Sequence, residues 1–225
     1  MKALAIDTAV SCITIAAKNN DKNVTVSLDV GMHQSEKLLP TIEYVMKECS
    51  IEPKELDFIA LSKGPGSFTG LRLGFAAAKS LNLVTKCPIY GVHTLEAYAL
   101  PYKNWIGNVI SAIDAKKDRF FVAMYKDGNI VQEESDLEPE KIIEWIKTET
   151  TPVLIVGPDS LKLFDAIKQI DNTLNILKFD GKSFCSTEFL FNIAEKMIEE
   201  QKNPMTEYEG PIYLRKSEAE EKAGC

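Results

Sequence analysis

Apolar positions recur along this chain in two rhythms, and the pair of rhythms runs twice. Residues 3–7, 13–18 and 23–28 are apolar or alternating runs of strand length. A helical stripe follows, with Leu38, Ile42, Val45, Met46 and Cys49 on one side. Ser35 is placed to cap it, and Pro40 falls early, where a missing N–H does least harm. A buried strand at 57–61, a helix at 71–84, a strand at 89–92 and a helix at 94–102 complete the order βββαβαβα. The second half repeats it. Strands at 109–114, 120–126 and 129–133, with Asp127-Gly128-Asn129 as a turn, precede a helix at 139–147. A strand at 153–156, a helix at 160–170, a strand at 176–179 and a helix at 187–200 follow. Ala5-Ile6-Asp7 and Ala112-Ile113-Asp114 open the two series at the same place, and such repetition constrains the whole fold.

This order predicts an α/β protein with a duplicated ribonuclease-H-like, actin-like fold. The first lobe is expected at 1–103 and the second at 104–225, with the last helix and tail able to pack back on the first. Actin-like ATPases hold phosphates against glycine turns that follow the first strand of each lobe. Here those turns are Thr8-Ala9-Val10-Ser11 and Ala115-Lys116-Lys117, without glycine. Where a Gly-Gly pair would hold adenosine, the chain has Val156-Gly157-Pro158-Asp159. Asp7 and Asp114 are weak candidates for a metal or nucleotide, and each is equally suited to capping its own turn. The pattern is that of an ATPase scaffold with its phosphate grips removed, so no cofactor is expected for the isolated chain.

Charge narrows the partners. A net charge of −7 argues against autonomous nucleic-acid binding, which relies on a basic face. Five scattered cysteines (Cys12, Cys49, Cys87, Cys185, Cys225) without a C-x-x-C pair fit a reducing cytoplasm. The opening residues do not read as a signal peptide, and no stretch approaches a membrane span.

The most distinctive segment joins the 57–61 strand to the next helix: Lys63-Gly64-Pro65-Gly66-Ser67-Phe68-Thr69-Gly70. Strand, glycine turn and helix can bind an anion. The spacing fits neither the P-loop nor the dinucleotide fingerprint, and Leu71-Arg72 follows where Lys and a hydroxyl residue would be needed. The other reading is a turn whose glycines let helix and strand pack closely.

Together with Leu4-Ala5-Ile6-Asp7-Thr8, the helix start from His33 to Pro40, Gly91-Val92-His93-Thr94-Leu95-Glu96 and Pro211-Ile212-Tyr213-Leu214-Arg215, this segment resembles the TsaB (YeaZ) family. The resemblance implies a non-catalytic, activating partner of TsaD in forming N6-threonylcarbamoyladenosine at position 37 of tRNAs that read codons beginning with A. It further implies assistance by the ATPase TsaE, contact with tRNA only through the complex, and nucleotide only at that complex. Pairing with TsaD would use the first lobe's helices, here through Leu38, Leu39, Ile42, Leu71, Gly74, Phe75, Ala77, Ala78 and Leu81, and the same face would close a homodimer when the chain is alone. The H-x-x-x-H metal pair of TsaD falls on Thr94 and Tyr98, so neither a metal nor a catalytic residue is expected. Two alternatives remain: a cryptic ATPase using Asp7 and Asp114, and a glycoprotease-like peptidase. For the latter the chain lacks H-E-x-x-H, and Ser67 does not lie in G-x-S-x-G.

Overall fold

The computed structural model describes residues 1–20, 22–179 and 186–215. The chain divides into two units, one of Met1–Thr94 with Cys185–Ile212, the other of Leu95–Phe184 with Tyr213–Cys225. Each is built on a five-stranded mixed sheet with the same strand order, the duplicated ribonuclease-H-like arrangement of actin-like proteins.

In the first unit, β1 (Lys2–Asp7), β2 (Cys12–Asn19) and β3 (Lys22–Asp29) form an antiparallel meander. β4 (Phe58–Ser62) lies parallel to β1 and β5 (Ile89–Val92) parallel to β4, giving the order β3-β2-β1-β4-β5. Parallel neighbours need long crossovers. These contain α1 (Gln34–Glu48) and α2 (Phe68–Thr85). β4 is buried along its whole length, which is why it reads as a continuous apolar run, whereas edge strand β3 alternates. Leu4, Ile6, Ile15, Ile59 and Leu61 form a core with Leu38, Ile42 and Val45 of α1 and Phe75 and Ala78 of α2.

A late helix belongs to this same unit. Counting α3 (Thr94–Ala99), α4 (Pro139–Lys147) and α5 (Ser160–Ile170), it is α6, Thr187–Glu199, and it packs across β1, β4, β5 and β2. Phe58 joins the layers, with its ring edge-on to Tyr90 and to Phe191 of α6, both at 6.3 Å between centroids. Lys18 pairs with Glu195 and lies over the Phe191 ring.

The second sheet is made of β6 (Val109–Lys116), β7 (Arg119–Lys126), β8 (Asn129–Leu137), β9 (Val153–Val156) and β10 (Ile176–Lys178). Its order is β10-β9-β6-β7-β8, the first sheet's order again. Ile142, Ile143 and Ile146 of α4 and Leu163 and Ile167 of α5 cover Ile110, Val122, Met124 and Ile155. Asp127 and Gly128, both at positive φ, turn β7 into β8.

Several expectations needed correction. Ser35 does not cap α1: the helix begins one residue earlier, after a 3-10 turn at Gly31–His33, and carries no side-chain cap. Buried Gln34 instead turns inward to donate to the Val10 carbonyl at 2.7 Å. Pro40 therefore stands in the second turn, with its ring exposed. β8 runs on to Leu137, beyond the expected end at Glu133. Asp136 makes this extension tolerable: Arg119 Nε donates to Asp136 Oδ1 at 2.9 Å, and Arg215 binds both carboxylate oxygens at 2.7 and 2.9 Å.

Among the described cysteines, Cys49 and Cys87 are buried. Burial, assisted by the charge of Asp57, pushes the Cys87 thiol up to about 12. Iodoacetamide at about pH 8 is therefore expected to leave Cys87 unmodified in the folded protein and to alkylate it in urea, because only the thiolate attacks. Peptide mass mapping checks this, and equal labelling in both states would contradict the packing.

Candidate functional site

β4 delivers the chain into the glycine segment, where main-chain groups are taken up in quick succession. The Lys63 N–H donates to Val92 O at 2.9 Å, and Lys63 O accepts from Ile212 N–H at 2.7 Å. Gly64 and Thr94 exchange two bonds: Gly64 N–H to Thr94 Oγ1 at 3.2 Å and Thr94 N–H to Gly64 O at 2.9 Å. Ser67 N–H donates to Ala9 O at 2.7 Å, while Ser67 Oγ caps α2 by accepting from Gly70 N–H at 3.3 Å. Thr69 lies inside the helix.

The glycines make room for the chain itself. A Cβ on Gly66 would stand 2.5 Å from Ala9 O, one on Gly70 2.1 Å from Thr8 O, and one on Gly74 2.4 Å from Thr8 Oγ1. Gly64, at φ +110°, has Ile212 O against its open side, 2.5 Å from where a Cβ would be. The Thr8-Ala9 turn and the Ile212 carbonyl thus fill the open sides of these glycines. Of the two readings of this segment, the geometry supports close packing.

The strand-end aspartates are likewise engaged. Asp7 is buried; its Oδ1 accepts from Ala9 N–H at 3.0 Å and its Oδ2 from the Ser186 hydroxyl. Asp114 accepts from Lys116 N–H at 2.8 Å and pairs with the ammonium groups of Lys116 and Lys162 at 3.0 and 2.8 Å. Burial alone would raise the Asp114 pKa, but hydrogen bonds from Lys162 and Lys116 prevail and hold it below the usual carboxylate range. Asp159 accepts the Asp114 N–H at 2.8 Å, and burial pushes its own carboxyl up. Each strand-end Asp caps its own turn. The described residues bring together no group of three metal-ligating side chains. Thr94 and Tyr98, at the positions of the H-x-x-x-H pair, are both buried.

On α1 and α2 the structure sorts the expected interface residues. Leu38, Ile42, Leu71, Gly74, Phe75, Ala77 and Ala78 are buried, and Gly74, Ala77 and Ala78, expected to admit a partner helix, face the chain's own core. Leu81 is half-buried, and Leu39 is 62% exposed. The reason is physical: the apolar stripe of each helix is what holds it on the sheet. Leu39, Tyr44, Ala76, Ser80, Leu83 and Val84 are exposed on the two helices, among charged residues that include Lys37, Glu43, Lys47 and Arg72. Sequence reading did not single out these positions beyond Leu39, since small and apolar residues on both sides of a helix blur its two faces.

Lys79, on the flank of α2, reaches a different element. Its ammonium donates to the carbonyls of Glu207 and Glu209 at 2.7 and 2.6 Å. Met205 N–H donates to Ile89 O at 2.7 Å, so residues 205–212 form a strap across β5, α2 and the glycine segment. The Pro211-Ile212 pair was visible as a motif; its seat against Gly64 was not.

A family model described as TsaD, tRNA N6-adenosine threonylcarbamoyltransferase, matches residues 28–223. The tRNA threonylcarbamoyladenosine biosynthesis protein TsaB of Escherichia coli K12 is 29% identical, over 97% of this chain and 96% of its own length. The protein of the same name from Buchnera aphidicola of Schizaphis graminum is 31% identical over 80% and 85%. The Bacillus subtilis TsaB is 28% identical over 99% and 97%. Among solved structures, YeaZ from Pseudomonas aeruginosa superposes with a TM-score of 0.78 at 21% identity, covering 95% of this chain and 99% of that one, a likeness of fold. The chain therefore belongs to the TsaB (YeaZ) family of tRNA threonylcarbamoyladenosine biosynthesis proteins, within the wider family that the TsaD model describes.

Proposed function

We propose that this protein is a catalytically silent subunit that pairs with TsaD and supports formation of N6-threonylcarbamoyladenosine on tRNAs reading codons that begin with A. One observation carries this reading. The glycine segment and both strand-end aspartates are engaged by the chain's own groups, whereas the outer face of α1 and α2 keeps Leu39, Tyr44, Leu83 and Val84 exposed at 62, 52, 69 and 71%. Chemistry is left to the partner, and the helices offer the place to meet it. The same face closes a homodimer when TsaD is absent, and TsaE acts on the assembled complex. Contact with tRNA comes through the complex, in keeping with the acidic charge, and the work is done in the cytoplasm. No helix of the described residues is long and apolar enough to cross a membrane.

Reconstitution tests this with TsaD, TsaE, the enzyme that makes threonylcarbamoyl-AMP, and unmodified tRNA. Nucleoside mass spectrometry is expected to find no product with this chain alone, product with all four proteins, and little when the chain is omitted. Ala76→Arg places a charge on the exposed side of α2 and should weaken association with TsaD about tenfold while leaving the fold intact. Undiminished modification without the chain, or modification by the chain alone, would sink the reading. Ala78 is a poor site for such a test: it is fully buried, so a bulky residue there would report on folding.

A further inference from the structure

The C-terminal half of α2, β5 and residues 205–207 border a groove of about 440 Å³ in the first unit. That volume falls in the range of sites that hold a small ligand or a few side chains. Phe75, Ile89 and Met205 provide apolar lining, and Lys79, Lys86 and Glu207 provide charge. Leu83, 69% exposed, lines the edge of the groove, and its neighbour Val84 is 71% exposed, so the apolar surface extends past the enclosed part of the groove. A polypeptide segment would cover both.

Charge indicates which kind of segment. The chain carries −7 overall, yet two lysines and one glutamate line this groove. The Lys79 ammonium is fixed by the carbonyls of Glu207 and Glu209. Lys86 is exposed, caps α2 in a left-handed conformation, and has no ion-pair partner among the described residues. The carbonyls around this helix end are already matched: Asn82 O accepts from Lys86 N–H, Leu81 O from the Thr85 hydroxyl, and Cys87 O from the Asn82 amide. The C-terminal pole of α2 favours a cation at this position, and the Lys86 ammonium stays open to an incoming carboxylate.

We propose that the groove seats a segment of the partner docking on α2, one that inserts a bulky apolar side chain and sets flanking carboxylates against Lys86 and Lys79. The inference rests on the reading of the outer face of α2 as partner-facing. The apolar anchor supplies the burial, and the carboxylates select the segment and fix its direction.

The test uses the full chain and three fluorescein-labelled synthetic hexapeptides followed by anisotropy: Glu-Asp-Trp-Leu-Glu-Asp, its counterpart with Lys and Arg in place of the acids, and Glu-Asp-Ala-Ala-Glu-Asp. The first is expected to bind roughly tenfold more tightly than the third and about fivefold more tightly than the second. Lys86→Glu should reverse the preference between acidic and basic peptides. Absence of binding at about 1 mM, equal binding of the basic peptide, or indifference to Lys86→Glu each overturns the proposal. Ala76→Arg separates it from the reading beneath it. Loss of TsaD by that variant, with no peptide binding to wild type, overturns the groove's role alone; retention of TsaD overturns the assignment of α2 itself.

Discussion

Replacing Phe58 with alanine is expected to lower the unfolding free energy of the first unit by about 4 kcal/mol, the range found when a buried aromatic is truncated without collapse of its surroundings. The side chain is 1% exposed, and its two edge-on neighbours come from β5 and α6, separated by about a hundred residues of chain. Removing the ring leaves a cavity where strand and late helix meet, and the backbone of β4, paired on both sides, cannot move in to fill it. Urea titration of the purified variant measures the loss. Phe58→Leu keeps most of the volume and should cost about 1 kcal/mol. A loss below that for Phe58→Ala would mean that α6 does not pack on this sheet.

Gly70→Ala has an expected sign opposite to what helix propensity gives. An alanine in place of glycine inside a helix normally gains up to about 1 kcal/mol. At Gly70 the added methyl would lie 2.1 Å from the Thr8 carbonyl oxygen and 3.0 Å from Gln34 Oε1. The first contact is with backbone, which no rotamer change relieves. The variant is therefore expected to lose about 3 kcal/mol, at the upper end of overpacking costs. Denaturation midpoints at constant slope decide it. A gain in stability would show that α2 does not rest on the turn after β1, and would reopen the approach to the glycine segment for a ligand.

Much of the fold was legible because the second half punctuates its elements clearly. Pro139 opens α4, Gly157 and Pro158 close β9, and helices α4 and α5 and strand β9 have the expected ends. Polar edges were less legible. Glu134 through Asp136 look like a loop in sequence, but an edge strand is held by main-chain bonds, and Asp136 is matched by Arg119 and by Arg215, far away in the chain. The site was half legible for a related reason. The missing spacing of Gly64, Gly66 and Gly70 excluded a P-loop, yet what fills their open sides, Thr8, Ala9 and Ile212, is set by tertiary approach. Likewise the stripe of Leu71, Phe75 and Ala78 announced a helix with an apolar side, but its own sheet takes that side first. Which positions remain for a partner emerges only after the sheet is covered.

The placement of α6 on the first sheet also affects how the protein is made. Every other main element of that unit has been translated by Thr94, but its last helix starts at Thr187. At about 5–20 residues per second, the intervening stretch of roughly 90 residues takes on the order of 5–20 s to synthesise. During that time Phe58 and the rest of that sheet face wait uncovered outside the ribosome, a window in which chaperones can act and in which stalled or truncated chains are prone to aggregate.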